Sequence, residues 1–282
     1  PEFTQIDIEA SFVGQEDIIR LVEGLLASMF KAGLGIGIPQ SFPRMTYADA
    51  MDIYGSDKPD TRYDMKITDL GDVFAATEFK IFRSTLDQGG VVRAINAKGF
   101  AGVTTGQMNR LNEIAIQAGL PVKTLAFIKC EGGEYKSPLW KFFTDAEKDA
   151  LVAKLAIAEG DIVFFVAGSR ESVSTILGRV RCECAEMLEL TKNSDAYNFL
   201  WVVDFPLLAL DEESGHWAAV HHPFTRPNAD DADKLAAGDF ANVRAVAYDV
   251  VLNGYELGGG SIRIHEKDLQ AKMFEVLGVG PE

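Results

Sequence analysis

The chain has 282 residues, 47% of them hydrophobic and 24% charged, with a formal net charge of -15 and a sequence pI of about 4.7. That length suggests roughly two domains with ample apolar residues for a core, and the acidic balance excludes broad non-specific nucleic-acid binding, which needs a basic surface. No run of 18 apolar residues and no basic-apolar leader is present, and the three cysteines form no disulfide framework, so neither membrane nor secretory chemistry is indicated and a reducing, cytoplasmic setting fits.

The chain begins at Pro1 rather than at a methionine, directly in a strand-like run, and reads as a piece of a longer protein. Residues 3–10 alternate polar and apolar, the pattern of a half-buried strand, with Gln5, Asp7 and Glu9 on one face and Ile6 and Ile8 on the other. That polar face is either solvated or lines a cleft. Residues 15–31 have helical spacing, with Ile18, Leu21, Val22, Leu25 and Met29 as the core stripe and Gly33 as the C-terminal cap. Leu34-Gly35-Ile36-Gly37-Ile38-Pro39 lacks the glycine spacing and the following helix of a dinucleotide fingerprint. A short helix over 46–54 opens on a Thr46/Asp49 capping box and stops at Gly55.

The polar, proline-bearing stretch 57–62 is a domain break. Beyond it strands and helices alternate without a charged constellation. A helix is expected over 104–119, a strand over 125–130 and a glycine-containing loop over 131–137. A helix then opens on a Thr144/Glu147 capping box and ends near Gly160. A buried strand over 161–167 follows, and Ser169 caps a helix that runs to about Glu189. Cys182 and Cys184 are too closely spaced for the usual zinc pairs and read as half-buried thiols of that helix. Residues 192–198 form a second polar break. After it, 200–208 and 217–222 look like two strands of a hairpin around the acidic turn 211–215. His221 and His222 end the second strand. As neighbours they point to opposite faces, so each acts singly, as a donor to a carboxylate or phosphate or as an ordinary surface or core histidine.

The richest segment is a hairpin. Asn253-Gly254, the strongest short-range hairpin signal, separates strand-like runs over 245–252 and 255–265. The hairpin carries Asp249, Glu256, three glycines (Gly258, Gly259, Gly260) and Arg263. Two carboxylates can hold Mg2+ against phosphates, glycines admit close backbone approach, and arginine can clamp a carboxylate with two parallel hydrogen bonds. A two-residue turn pairs Leu252 with Tyr255 and Val251 with Glu256, putting Asp249, Val251, Glu256 and Gly258 on one face. Arg263 follows Glu256 by seven residues, an odd number, so regular pleating sends it to the other face. A site using all three charges therefore requires a bulge or irregular turn within 258–260. A regular ladder leaves a glycine-weakened hairpin with a surface arginine.

Five segments occur together in this order: Pro1 to Glu9, then Gly55-Ser56-Asp57-Lys58-Pro59-Asp60, then Trp201-Val202-Val203-Asp204-Phe205-Pro206, then His221-His222-Pro223-Phe224-Thr225, then Gly258-Gly259-Gly260-Ser261-Ile262-Arg263-Ile264-His265. In this combination the chain resembles the bacterial-type aspartyl-tRNA synthetases, of class II, over essentially its whole length. The resemblance implies an α+β fold: a class II synthetase-type antiparallel sheet flanked by helices, with an inserted α+β GAD domain. Residues 1–63 and 191–282 would be the two parts of the catalytic domain and 64–190 the inserted domain. The implied activity joins L-aspartate and ATP into aspartyl-adenylate and pyrophosphate, then passes the aspartyl group to tRNA(Asp), in a cytoplasmic homodimer with Mg2+ on the nucleotide. The resemblance also implies roles. Asp7 would hold the substrate ammonium group, His221 and His222 would touch the aspartate, Asp249 and Glu256 would lie near ATP and its Mg2+, and Arg263 would pair with the side-chain carboxylate. No residue is assigned acid–base chemistry; such a reaction runs on positioning and charge stabilisation. The family's arginine-bearing ATP motifs, its first motif and its anticodon-binding domain have no counterpart in these residues, so the chain alone is expected to have little synthetase activity. Two other readings remain at this level: a non-catalytic tRNA-associated piece centred on the inserted domain, which also occurs in an amidotransferase subunit, and a related class II enzyme for asparagine or lysine.

Overall fold

The computed structural model of the chain describes residues 2–211 and 213–280. Pro1, the first residue of the N-terminal motif, lies outside them. In chain order, α1 (Gln15–Leu34), β1 (Arg44–Thr46) and α2 (Tyr47–Tyr54) precede β2 (Thr68–Asp69), α3 (Lys80–Asp87), β3 (Val91–Ala97) and α4 (Thr105–Gln117). The hairpin β4 (Ala126–Glu131) and β5 (Glu134–Lys136) leads to α5 (Asp145–Leu155), β6 (Ile162–Gly168) and α6 (Arg170–Met187). The last third holds β7 (Phe199–Val203), β8 (Leu208–Leu210), β9 (Trp217–Ala219), α7 (Ala232–Ala237), β10 (Ala247–Leu252), β11 (Tyr255–Ser261) and α8 (Lys267–Val276). The chain forms two units. One runs through Tyr47, resumes over Phe199–Val251 and continues from Glu256; the other comprises Ala48–Asn198 with the hairpin tip Leu252–Tyr255. No helix among the described residues is long and apolar enough to cross a membrane.

The first unit is built on a four-stranded sheet of order β1-β7-β10-β11. It is antiparallel except at one edge, where β1 runs parallel to β7 with Met45 opposite Val202. Helix α1 starts where the Asp17 carboxylate accepts the Gly14 N–H (2.9 Å) and ends at Gly35, whose φ of 72° lets its N–H reach the Lys31 and Phe30 carbonyls. Gly35, and not the expected Gly33, is therefore the cap. The helix buries Ile19 and Glu23, while Leu21 and Met29 of the expected stripe stay about half exposed. Its apolar residues span a wide arc, and spacing alone does not say which part of such an arc meets the sheet. The buried Glu23 carboxylate accepts the Phe42 N–H (2.8 Å) and the Trp201 indole N–H (3.1 Å), which fixes α1 to β7.

Two strand expectations change in this unit. Residues 3–10 form no strand among the described residues and are exposed, with Phe3 at 83% and Ile6 at 60% exposure. An alternating sequence becomes a strand only when another strand takes up its backbone groups. The hairpin read over 200–208 and 217–222 is shorter and separate: β8 pairs with β9, Ala209 opposite Ala218, while β7 belongs to the main sheet. Asp204, at a left-handed φ of 57°, and Pro206 end β7 between them.

The second unit holds a five-stranded antiparallel sheet of order β2-β3-β6-β4-β5. Its central strand β6 is apolar throughout because it is covered on both faces. Ile162, Phe164 and Val166 pack with Leu111 of α4 and Ile176 and Val180 of α6; Val163 and Phe165 pack with Phe82 of α3 and Leu151 of α5. The capping boxes at Thr104/Gln107 and Thr144/Glu147 and the Ser169 cap set the helix starts. The expected loop over 131–137 is instead a hairpin turn. Gly132 and Gly133 take φ of 69° and 75°, and Glu159 accepts both of their N–H groups at 2.7 and 3.0 Å. Of the two α6 thiols, Cys184 is buried and Cys182 exposed.

Candidate active site

The β10–β11 hairpin carries Asp249, Glu256 and the three glycines of the candidate site. Asn253 and Gly254 have φ of 53° and 90°, both positive as a type I′ turn requires. That turn joins Leu252 to Tyr255 with two intervening residues. Farther along, the Ile262 N–H donates to the Val246 carbonyl at 2.9 Å. Six steps separate Leu252 from Val246, and seven separate Tyr255 from Ile262, so β11 carries one extra residue. This is a β-bulge, and it supplies the phase shift that the odd spacing of Glu256 and Arg263 demands. Side-chain space agrees with the shifted register. A Cβ at Gly259 would fall on the Asp249 carboxylate, and one at Gly260 would come within 2.9 Å of the Tyr248 ring. The glycines thus let β11 lie directly on two side chains of β10. Asp249 is buried to 8% exposure, whereas Glu256 and Arg263 are exposed.

Past the bulge the two strands diverge, and a third segment enters between them. Val246 donates to the Arg226 carbonyl (2.8 Å), Arg226 donates to the Ile262 carbonyl (2.8 Å), and Ile262 donates back to Val246 (2.9 Å), closing a triangle of backbone hydrogen bonds. Thr225 is bridged to Arg263 and Pro227 to Ala245, each antiparallel. The Arg263 backbone is therefore held next to the segment that follows His221 and His222. The His221 ring meets Phe205 edge-on at 4.7 Å. The His222 ring meets Phe224 at 4.6 Å, and its Nδ1 accepts the Phe224 N–H at 3.2 Å. Both histidines are exposed. Among the described residues the Arg263 guanidinium and the Asp7 carboxylate make no hydrogen bond or ion pair, and Asp7 lies in the exposed N-terminal segment. The structure brings Asp249, Glu256 and Arg263 onto one hairpin and joins Arg263 to the histidine segment. Among the described residues Asp7 has no hydrogen-bond or ion-pair partner.

Three features of this unit are not marked in the sequence. Tyr248 lies on the core side of β10 with its ring edge-on to Trp201 at 6.0 Å. Burial pushes its hydroxyl above the ordinary tyrosine value, and the Arg263 charge opposes that rise. Asp231, also buried, accepts from Arg244 Nε (2.8 Å), the Arg244 N–H (2.9 Å) and Lys234 (2.7 Å). The Arg244 hydrogen bond holds the Asp231 carboxyl far below the usual range, against burial and with help from Lys234. Asp204, whose backbone is left-handed, lies 3.8 Å from the same guanidinium and accepts from Asn228 at 3.4 Å. Nothing local marks these pairs, because Asp231 and Arg244 are too far apart for any helical or strand period. No cluster of three or more His, Cys, Asp and Glu that could hold a metal is found among the described residues. Asp249 and Glu256 offer two carboxylates, a donor set that suits a hard cation keeping waters and phosphate oxygens as its remaining ligands.

The family model for tRNA synthetases class II (D, K and N) matches residues 1–282. The chain is 51% identical over 278 residues to an aspartate–tRNA(Asp/Asn) ligase of Opitutus terrae, covering 97% of this chain and 46% of that protein. It is 47% identical over 283 residues to the aspartate–tRNA(Asp/Asn) ligase of Methylacidiphilum infernorum and 48% identical over 283 residues to the aspartate–tRNA ligase of Geobacillus kaustophilus. Each of these two matches covers 100% of this chain and 47% of the relative. The chain spans about half the length of the curated relatives it matches.

Proposed function

The chain belongs to the class II tRNA synthetases of the D, K and N group, and from that premise we propose that it is a portion of an aspartate–tRNA ligase. In the whole enzyme, the aspartate α-carboxylate attacks the α-phosphorus of ATP, giving aspartyl-adenylate and pyrophosphate. A terminal ribose hydroxyl of tRNA(Asp) then takes the aspartyl group and releases AMP. Arg263 pairs with the side-chain carboxylate of aspartate, a fork-to-carboxylate match that neutral asparagine would leave half-made. Asp7 takes the ammonium group, and His221 and His222 border the amino acid. Asp249 and Glu256 bind at the ATP, where Mg2+, when bound, would neutralise phosphate charge. Residues 64–190, which lie within the second unit, are the inserted GAD domain, between catalytic parts 1–63 and 191–282. The enzyme works as a cytoplasmic homodimer.

The observation that carries this reading is the β11 bulge. It supports the reading by shifting the side-chain phase between Glu256 and Arg263, the acid and the arginine that such a reaction would use together. Identity near half to proteins named as aspartate ligases supports the choice of amino acid. The test is pyrophosphate exchange by the full-length gene product with aspartate, asparagine or lysine. Aspartate alone is expected to drive exchange; exchange driven better by asparagine or lysine would overturn the assignment.

A further inference from the structure

Tyr248 immediately precedes Asp249 and so points to the opposite side of β10. It is 5% exposed. Its ring lies under Gly260: a Cβ there would come within 2.9 Å of Cε2, 3.3 Å of Cζ and 3.2 Å of the hydroxyl oxygen. The ring is backed edge-on by Trp201 at 6.0 Å, and Trp201 is itself tied to the buried Glu23 through its indole N–H at 3.1 Å. Three residues beyond Gly260 comes Arg263, with the intervening Ile262 locked into the Val246–Arg226 triangle. The glycine segment is thus supported from below by an edge-on pair of buried aromatic rings and pinned just before the arginine. A shift of the strand at Gly260 has only two residues in which to relax before Arg263.

Resting on the synthetase reading, we propose that Tyr248 is a positioning residue for amino-acid recognition: its ring sets the height of the Gly258–Gly260 strand and, through it, the reach of Arg263 to the substrate carboxylate. The residue acts by packing and not by proton transfer. It therefore bears on aspartate binding more than on nucleotide binding.

The experiment uses the full-length enzyme, measuring KM for aspartate and for ATP and kcat in pyrophosphate exchange, with far-ultraviolet circular dichroism and thermal unfolding as the check on folding. Tyr248→Leu removes the ring and is expected to raise the aspartate KM by about tenfold, with ATP KM and kcat changed less than about threefold. Tyr248→Phe keeps the ring and should stay within about twofold of the parent. Gly260→Ala drives a Cβ into the ring and should raise the aspartate KM on its own. Combined with Tyr248→Leu it should cost less than the product of the two single effects, because the lost ring makes room for the methyl group. An aspartate KM unchanged in Tyr248→Leu, an equal rise in both KM values, or strictly multiplicative effects would overturn the proposal. If Tyr248→Leu does not fold, Gly260→Ala alone decides, and an unaltered aspartate KM overturns it. Failure of the unmutated enzyme to exchange with aspartate would instead overturn the functional reading, and this inference with it.

Discussion

Gly259 lies against the carboxylate of Asp249, so close that a methyl group on Gly259 would overlap the Asp249 oxygen. The glycine is required by contact and not by backbone angle, since its φ is not in the left-handed region. Gly259→Ala should therefore displace Asp249 or the strand. Overpacking of this kind costs about 1–3 kcal/mol, readable as a lower urea midpoint. In the full-length enzyme a displacement of about 1 Å should cut exchange on the order of 100-fold. Wild-type stability and exchange in Gly259→Ala would show that the two residues are not in contact.

Arg263→Leu removes the charge that the proposed site uses to choose aspartate over asparagine. The full-length variant should lose aspartate affinity by about 100-fold, the scale of a charged hydrogen-bonded pair. Its fold should be unaffected, because the guanidinium has no hydrogen bond or ion pair among the described residues. A variant that binds aspartate as tightly as the parent removes Arg263 from the specificity role.

The 282-residue chain itself can be titrated calorimetrically with a non-hydrolysable aspartyl-adenylate analogue and with its asparaginyl counterpart. Preferential binding of the aspartyl compound is expected if Arg263, held to Thr225, already has its working geometry. Equal binding of both would mean that discrimination arises elsewhere.

Acid should act on the first unit through Asp231. Its carboxyl pKa is depressed in the folded state by Arg244. The stabilisation is therefore complete above the unfolded aspartate value of about 4 and is lost as pH falls through the folded value. Asp231→Asn should destabilise at pH 7 by about 1–3 kcal/mol, less than a fully buried pair because the Arg244 side chain is 39% exposed. The variant should also show a flatter stability profile below pH of about 4. An acid limb identical to that of the parent would assign the effect to other carboxylates.

In the second unit, Gly178 in the middle of α6 meets the carbonyl of Gly55, and Gly55 has a φ of 66°. Gly178→Ala should destabilise by about 1–3 kcal/mol, since backbone on both sides must move. Gly106→Ala, in α4 with nothing within 4 Å of the new methyl, should stabilise slightly, by about 0.5–1 kcal/mol. Equal effects at the two glycines in thermal unfolding would contradict the close approach of Gly178 to Gly55.

What could be read directly from the sequence was local. The Asn253-Gly254 turn, the Thr144/Glu147 capping box, the Ser169 cap and the apolar β6 run were legible because each depends on residues adjacent in the chain. The bulge in β11 was legible too, though only as a conflict: an acid and an arginine seven residues apart cannot share a face of a regular strand. The buried face of α1 was not, since Leu21 and Met29 are as apolar as Ile19. The turn at Gly132-Gly133 was read as a loop because the pairing that makes it a hairpin lies in the backbone of β4 and β5.

The sequence by itself determined several helix starts, the Asn253-Gly254 turn, the family and the set of charged side chains on the hairpin, because caps and turn residues act over a few positions. Only the tertiary structure decided the parallel β1–β7 edge, the Val246–Arg226–Ile262 triangle, the Asp231–Arg244 pair and the place of Tyr248 beneath Gly260. Those contacts join residues distant in the chain. Many run through backbone N–H and C=O groups that almost every residue carries, so no residue type announces which partner it will take.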